Sequence, residues 1–176
     1  MVFRLRQLME KDSPLMLEWM RDDMVTQFLS VDFSTKTLSD AQLFIRESNL
    51  STCKDVHRAC VNELDEYLGT VSLKSVDQLN KRAEYAICMR RCAHGTGAAF
   101  YATEEILRIA FEQMGLERVY LYHYSSNQRA RRFYQKMGFM IEGVLRHHVF
   151  RNGVFEDEIW YGILSNDWAN RNENDI

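Results

Sequence analysis

The chain is poor in the residues that break or staple a fold: of 176 residues only one is proline, eight are glycine and four are cysteine. With 46% hydrophobic residues and so little proline, residues 1–176 read as one globular domain, with a polar tail from about residue 169. No apolar run approaches eighteen residues, and the opening MVFRLRQLMEKD has no apolar leader core, so a cytoplasmic protein with no membrane partner is expected. Cys53, Cys60, Cys88 and Cys92 form no Cys-x-x-Cys pair and no Cys/His spacing that suits zinc. Free thiols in a reducing compartment, and no metal, are the expectation. A net charge of −3 without a basic stripe argues against a nucleic-acid partner. Repeats and low-complexity segments are absent as well.

What the chain does have is the stretch from His94 to Met114, HGTGAAFYATEEILRIAFEQM. Its first part, His94-Gly95-Thr96-Gly97-Ala98-Ala99, is small after the histidine, so backbone there can approach a ligand closely. Its second part places Ile106, Leu107, Ala110, Phe111 and Met114 on one helical face. A glycine loop feeding a helix aims the first N–H groups and the positive end of the helix dipole outward, which suits a phosphate or pyrophosphate. Two glycines before a helix also suit a plain tight turn. The loop has neither the Gly-Lys-Ser/Thr ending of a Walker loop nor the GxGxxG dinucleotide pattern.

Around that stretch the periodicity changes along the chain. Phe3 to Leu8 alternates as a strand, Asp12-Ser13-Pro14 opens a helix with Leu15, Met16, Trp19 and Met20 on one face, and Thr37-Leu38-Ser39-Asp40 opens a second with Leu43 and Phe44. Period two returns in His57 to Asn62, Tyr67 to Lys74 and Arg82 to Met89. Gly115 stops the long helix, Glu117 to Tyr124 is a β-branched and aromatic strand, and Asn127 caps a helix bearing Ala130, Phe133, Tyr134 and Met137 until Gly138. Glu142 to Phe150 and Val154 to Leu164 close the chain through an Asn152-Gly153 hairpin. This order predicts an α+β fold, a mixed and mostly antiparallel sheet of about seven strands flanked by about four helices.

Several pieces in this order and spacing resemble the GNAT superfamily of acetyl-CoA-dependent N-acetyltransferases, with the Rim-type branch the nearest in pattern. They are Arg82-Ala83-Glu84-Tyr85, the His94–Ala99 loop, Asn127-x-x-Ala130-x-x-Phe133-Tyr134-x-x-x-Gly138-Phe139, Glu142-Gly143-Val144-Leu145 and Asn152-Gly153. The resemblance runs from about Tyr67 to Leu164. It departs at His94, where the family loop carries Arg or Gln. It implies acetyl-CoA as co-substrate, the pyrophosphate on the N–H groups of His94, Gly95, Thr96, Gly97, Ala98 and Ala99, and the pantetheine arm along Ile87, Cys88 and Met89. Asn127 would reach the arm while also capping its helix. The acceptor would be a small-molecule or peptide amine, and relatives often pair as homodimers.

Acetyl transfer to an amine needs a neutral amine, a polarised thioester carbonyl and a protonated leaving thiolate. Tyr134 matches the family's general acid, or else fills the apolar stripe beside Phe133. Glu84 is the candidate base, directly or through water, or else a cross-strand ion pair with Lys74 or Arg82. Cys88 and Cys92 read as small buried hydrophobes rather than nucleophiles. Tyr120, Tyr122 and Tyr124 could form a stacking platform for bases but read better as one packed strand face, and Glu156-Asp157-Glu158 could attract a cationic acceptor but read better as a solvated strand edge. A regulatory module that binds acetyl-CoA without chemistry is the competing reading. Amino sugars, polyamines, ribosomal-protein termini and antibiotics all stay open as acceptors, because the pocket falls in the N-terminal third, where the resemblance is thin.

Overall fold

The computed structural model describes residues 2–174, which fall into two compact units, Met1–Val76 with Tyr85–Leu107 and Asp77–Glu84 with Arg108–Ile176. Seven strands, β1 (Arg4–Arg6), β2 (Val56–Val61), β3 (Tyr67–Asp77), β4 (Arg82–Met89), β5 (Arg118–Tyr124), β6 (Met140–Arg151) and β7 (Val154–Leu164), form one sheet in the order β1-β2-β3-β4-β5-β7-β6. The β1–β2, β2–β3, β5–β7 and β6–β7 pairs are antiparallel and the β4–β5 pair is parallel, so the sheet is mixed and mostly antiparallel as expected. Among the described residues six α-helices accompany it rather than about four: α1 (Ser13–Met20), α2 (Asp23–Thr26), α3 (Leu38–Ser48), α4 (Ala98–Arg108), α5 (Gln128–Lys136) and α6 (Ser165–Asn174).

In the first unit, α1 starts at Ser13 because Pro14 fits a first turn that needs no N–H donor. Asp12 stands at its N-cap without capping it. The carboxylate instead accepts from Arg6 Nη1 and Nη2 at 2.7 and 2.8 Å and from the Met9 amide at 2.8 Å. The next long helix, α3, opens on a reciprocal box, with Thr37 Oγ1 accepting from the Asp40 amide and the Asp40 carboxylate accepting from the Thr37 amide. Its core face is Ala41 and Ile45 with half-buried Phe44, whereas Leu43 is exposed. Met16, Trp19, Met20, Ile45, Val61 and Tyr67 meet in the core. Each large apolar side chain so buried contributes about 1.5–3 kcal/mol. The Trp19 indole N–H donates to the Tyr67 hydroxyl at 3.1 Å, which lies 2.7 Å from Thr70 Oγ1, so the buried polar atoms are satisfied.

The second unit begins its helical part with a π-turn over Ile109–Gln113, where Met114 N donates to Ile109 O. Gly115 then ends the helix at φ +63°, as its position suggests. β5 and β7 pair over Arg118–Tyr124 and Leu164–Glu158, and the β6–β7 hairpin turns on Asn152 and Gly153, with φ +49° and +81°, a type I′ geometry. The polar tail expected from about residue 169 is helical through Asn174, anchored by Trp168, which is buried and 5.7 Å from the Phe111 ring. No helix of the described residues is long and apolar enough to cross a membrane.

Candidate active site

The first unit holds the glycine loop. Gly95 and Gly97 have φ of +78° and +92°, a region in which a side chain is strained, and a Cβ at Gly95 would meet nothing while one at Gly97 would touch only Phe3 at 3.9 Å. Conformation, rather than crowding, therefore requires glycine at both. Three of the six amides turn inward: His94 N donates to Arg91 O, Thr96 N to Ala93 O and Ala98 N to Thr96 Oγ1. The amides of Gly95, Gly97 and Ala99 have no such bond among the described residues. They stand at the N-terminus of the eleven-residue α4, where dipole and donors coincide.

A hydrogen-bond chain ties this loop to the strand that precedes it. Thr103 Oγ1 donates to Ala99 O at 2.7 Å, and the buried Tyr85 hydroxyl lies 2.7 Å from Thr103 Oγ1 and donates to it. The first turn of α4 is thereby fixed against β4. His94, where the family pattern has Arg or Gln, turns its ring back, and Nε2 donates to Met89 O at 3.3 Å. Arg90 closes the end of β4: its buried guanidinium donates to both Glu18 oxygens at 3.1 and 2.9 Å, to Glu66 at 2.8 Å and to Tyr67 O at 2.9 Å. On β4, Ile87 and Cys88 are half-buried and Met89 is buried. The recorded β4–β5 register stops at Glu84↔Tyr120, short of all three.

The cysteines divide. Burial pushes the Cys88 thiol well above its ordinary range and the Cys60 thiol up to about 12, which leaves both as thiols and poor nucleophiles. Cys92 is exposed, contrary to the expectation of a buried hydrophobe, because the Arg91–Ala93 turn buries Ala93 and not its neighbour.

The second unit holds Tyr134, Asn127 and Glu84. Asn127 caps α5, its Oδ1 accepting from Ala130 N at 3.0 Å. Tyr134, one helical turn later than Ala130, packs among the rings of Phe133, Phe139, His123 and Tyr161 at 5.5, 5.9, 6.0 and 6.2 Å. Burial first, and the neighbouring Tyr161 second, raise its phenol well above the ordinary tyrosine range, so it is protonated at neutral pH. His123 is the neighbour that carries no sequence signal, one alternating residue of an aromatic strand. Its Nδ1–H donates to Tyr124 O at 2.8 Å, so Nε2 accepts from the Tyr161 hydroxyl at 3.1 Å, and burial lowers its pKa. A neutral, oriented imidazole results.

Glu84 is half-buried on β4 and in register with Tyr120. Arg82, one of its expected partners, is 3.5 Å from Asp77 instead. On the same face as Tyr120, Tyr122 and Tyr124, β7 presents Trp160 and Glu158, directly opposite Tyr122 and Tyr124. The Trp160 ring stacks on Tyr122 at 5.3 Å and on Tyr120 at 5.9 Å, so the tyrosine run is a packed face as expected. The acidic triplet is no solvated edge: β7 lies between β5 and β6, and Glu158 is only 6% exposed. Among the described residues no group of three His, Cys, Asp or Glu side chains could hold a metal ion.

An Escherichia coli (strain K12) spermidine N(1)-acetyltransferase is 32% identical over 123 residues, 67% of this chain and 66% of that protein. YdaF of Bacillus subtilis (strain 168) is 30% identical over 100 residues, 57% of this chain and 55% of that protein, so the chain spans between about half and two thirds of these relatives. A crystal structure of spermidine N-acetyltransferase from Vibrio cholerae in complex with CoA and spermine superposes with a TM-score of 0.86 at 19% identity, covering 95% of this chain and 98% of that one, which shows a shared fold. The acetyltransferase (GNAT) domain family matches residues 3–140, and the chain belongs to that family.

Proposed function

We propose that the protein moves the acetyl group of acetyl-CoA directly to a primary amine. The observation that carries this is the cradle of the first unit: the Gly95, Gly97 and Ala99 amides at the start of α4, held to β4 through Ala99, Thr103 and Tyr85. Those donors fit a pyrophosphate, and Ile87, Cys88 and Met89 would bond the pantetheine amides as a strand does. Asn127 would reach the same arm. Acetyl-CoA bound there would supply its acetyl thioester.

The remaining roles belong to this chain's side chains. Glu84, directly or through a water, takes a proton from the acceptor ammonium, and the freed amine forms the C–N bond as the C–S bond breaks. Tyr134, raised by burial, gives its proton to the departing thiolate and regains one from solvent or from the proton released at the amine. The relatives named for spermidine support a polyamine as the first acceptor to try.

A thiol-release assay with acetyl-CoA and a panel of amines tests the reading. Turnover with at least one amine is expected, and Tyr134→Phe should lower kcat by about 10²- to 10⁴-fold with the KM for acetyl-CoA little changed. An unaltered kcat would remove Tyr134 from the mechanism. Tight binding of acetyl-CoA without turnover of any amine would favour the regulatory module.

A further inference from the structure

One face of the second unit carries a repeated arrangement of ring, carboxylate and cation. At one end the Arg118 guanidinium lies 5.8 Å from the Tyr120 ring centre and pairs with Glu142. At the other end the Arg151 guanidinium lies 4.3 Å from the Tyr124 ring centre and 3.8 Å from Glu156. Trp160 stands opposite Tyr122 and Glu158 opposite Tyr124, a third ring and a third carboxylate, and Glu158 forms no ion pair with an arginine or lysine among the described residues. One oxygen of Glu158 accepts from the Trp160 indole N–H at 2.8 Å and lies 4.0 Å from His148 Nε2, the outer limit of an ion pair. The other oxygen has no partner among the described residues. Glu158 Oε2 is not a buried atom without a partner and so stays open to solvent and to a cation, and aromatic faces attract ammonium groups.

We propose that Glu158 and Trp160 form a subsite for a second ammonium group of the acceptor, so that the enzyme prefers amines carrying at least two cationic nitrogens. The inference rests on the acetyltransferase reading above and adds the acceptor's charge pattern to it. Glu84 lies on the same face, in register with Tyr120. Glu158 is opposite Tyr124, four residues further along β5. With strands about 4.8 Å apart and a rise of about 3.3 Å per residue, the two backbone positions are about 16 Å apart. An extended, flexible polyamine can reach from one carboxylate towards the other; a short monoamine reaches one only.

The test compares spermidine with pentylamine as acceptors, on the wild type and on Glu158→Gln. The variant keeps the side-chain shape and an acceptor oxygen for the Trp160 N–H, and its melting temperature and KM for acetyl-CoA report on folding. The ratio of kcat/KM for spermidine to that for pentylamine should fall about 10- to 100-fold, mostly through the KM for spermidine. Trp160→Leu should lower the same ratio by a smaller factor. An unchanged ratio in Glu158→Gln overturns the proposal, whatever happens to overall activity. If the wild type acetylates neither amine, calorimetric titration with spermidine decides separately. Binding that weakens in the variant upholds the subsite, and absence of binding to the wild type overturns it, while the transfer reading itself stands or falls with the wider amine panel.

Discussion

Gly69 is the position where a single methyl group should disturb cofactor binding from behind. It lies on β3, and a Cβ built there would stand 2.4 Å from Cys88 O, 2.6 Å from Met89 Sδ and 2.8 Å from Met89 Cα. Two of these three atoms are backbone of the segment proposed to hold the pantetheine arm, and real Cβ atoms essentially never come within 3.0 Å of another group. The Met89 thioether can swing aside; the Cys88 carbonyl cannot. Gly69→Ala therefore forces β3 and β4 apart by at least 0.6 Å, the difference between 3.0 and 2.4 Å. Overpacking of this kind costs about 1–3 kcal/mol. In a chain of this size that corresponds to a Tm lower by about 2–12 °C. The same displacement misaligns the amide and carbonyl groups of Ile87, Cys88 and Met89, and misplacements near 1 Å reduce reaction rates by up to about 10²-fold. Differential scanning fluorimetry with and without coenzyme A, and the KM for acetyl-CoA, measure the two effects. A variant with wild-type Tm and wild-type KM would refute the argument, because it would mean that β3 and β4 approach less closely at this point than the structure has them.

Two further perturbations act on charge in the first unit. Arg90→Ala removes a guanidinium that joins Glu18, Glu66 and Tyr67 O at the end of β4. Both glutamates are about half exposed and can rehydrate, so a loss of about 1–3 kcal/mol in urea unfolding is expected rather than a collapse; no change would mean the cluster adds nothing. Asp65 is held at about 2, below its ordinary 3.8, first by its hydrogen bond to Lys11 and then by Arg6. A depressed carboxylate adds stability that is complete above its unfolded value and lost as pH falls through its folded value, so the contribution should fade between about pH 4 and pH 2. Urea midpoints measured across that window should fall less steeply in Asp65→Asn than in the wild type, and parallel slopes would show that Asp65 is not responsible.

The sheet and the glycine loop were legible because local chemistry and global fold agree there. Alternation in Arg82 to Met89 and Arg118 to Tyr124, the Asn152-Gly153 turn and the stops at Gly115 and Gly138 each depend on a few adjacent residues, and each has the conformation its residues favour. The π-turn at Ile109–Gln113 was not legible, since one extra residue in a helical turn barely alters the apolar stripe used to find the helix. Burial within α3 was not legible for a related reason: a stripe of apolar residues marks a helix, but the neighbouring elements choose which of them is covered, and in α3 they cover Ala41 and Ile45 and leave Leu43 exposed. The candidate acid Tyr134 was visible through its match to the family motif, yet its raised pKa comes from burial and from Tyr161, twenty-seven residues away in the chain. Glu158 is the clearest case. Read locally, Glu156-Asp157-Glu158 is a run of charge, and runs of charge are usually solvated. Only the strand order, which sets β7 between β5 and β6, turns every second member of that run onto the aromatic face and shuts one of them away from water. Residues whose burial depends on strand order carry no mark of that burial in the sequence beside them, so the run of charge alone does not say which of its carboxylates is enclosed.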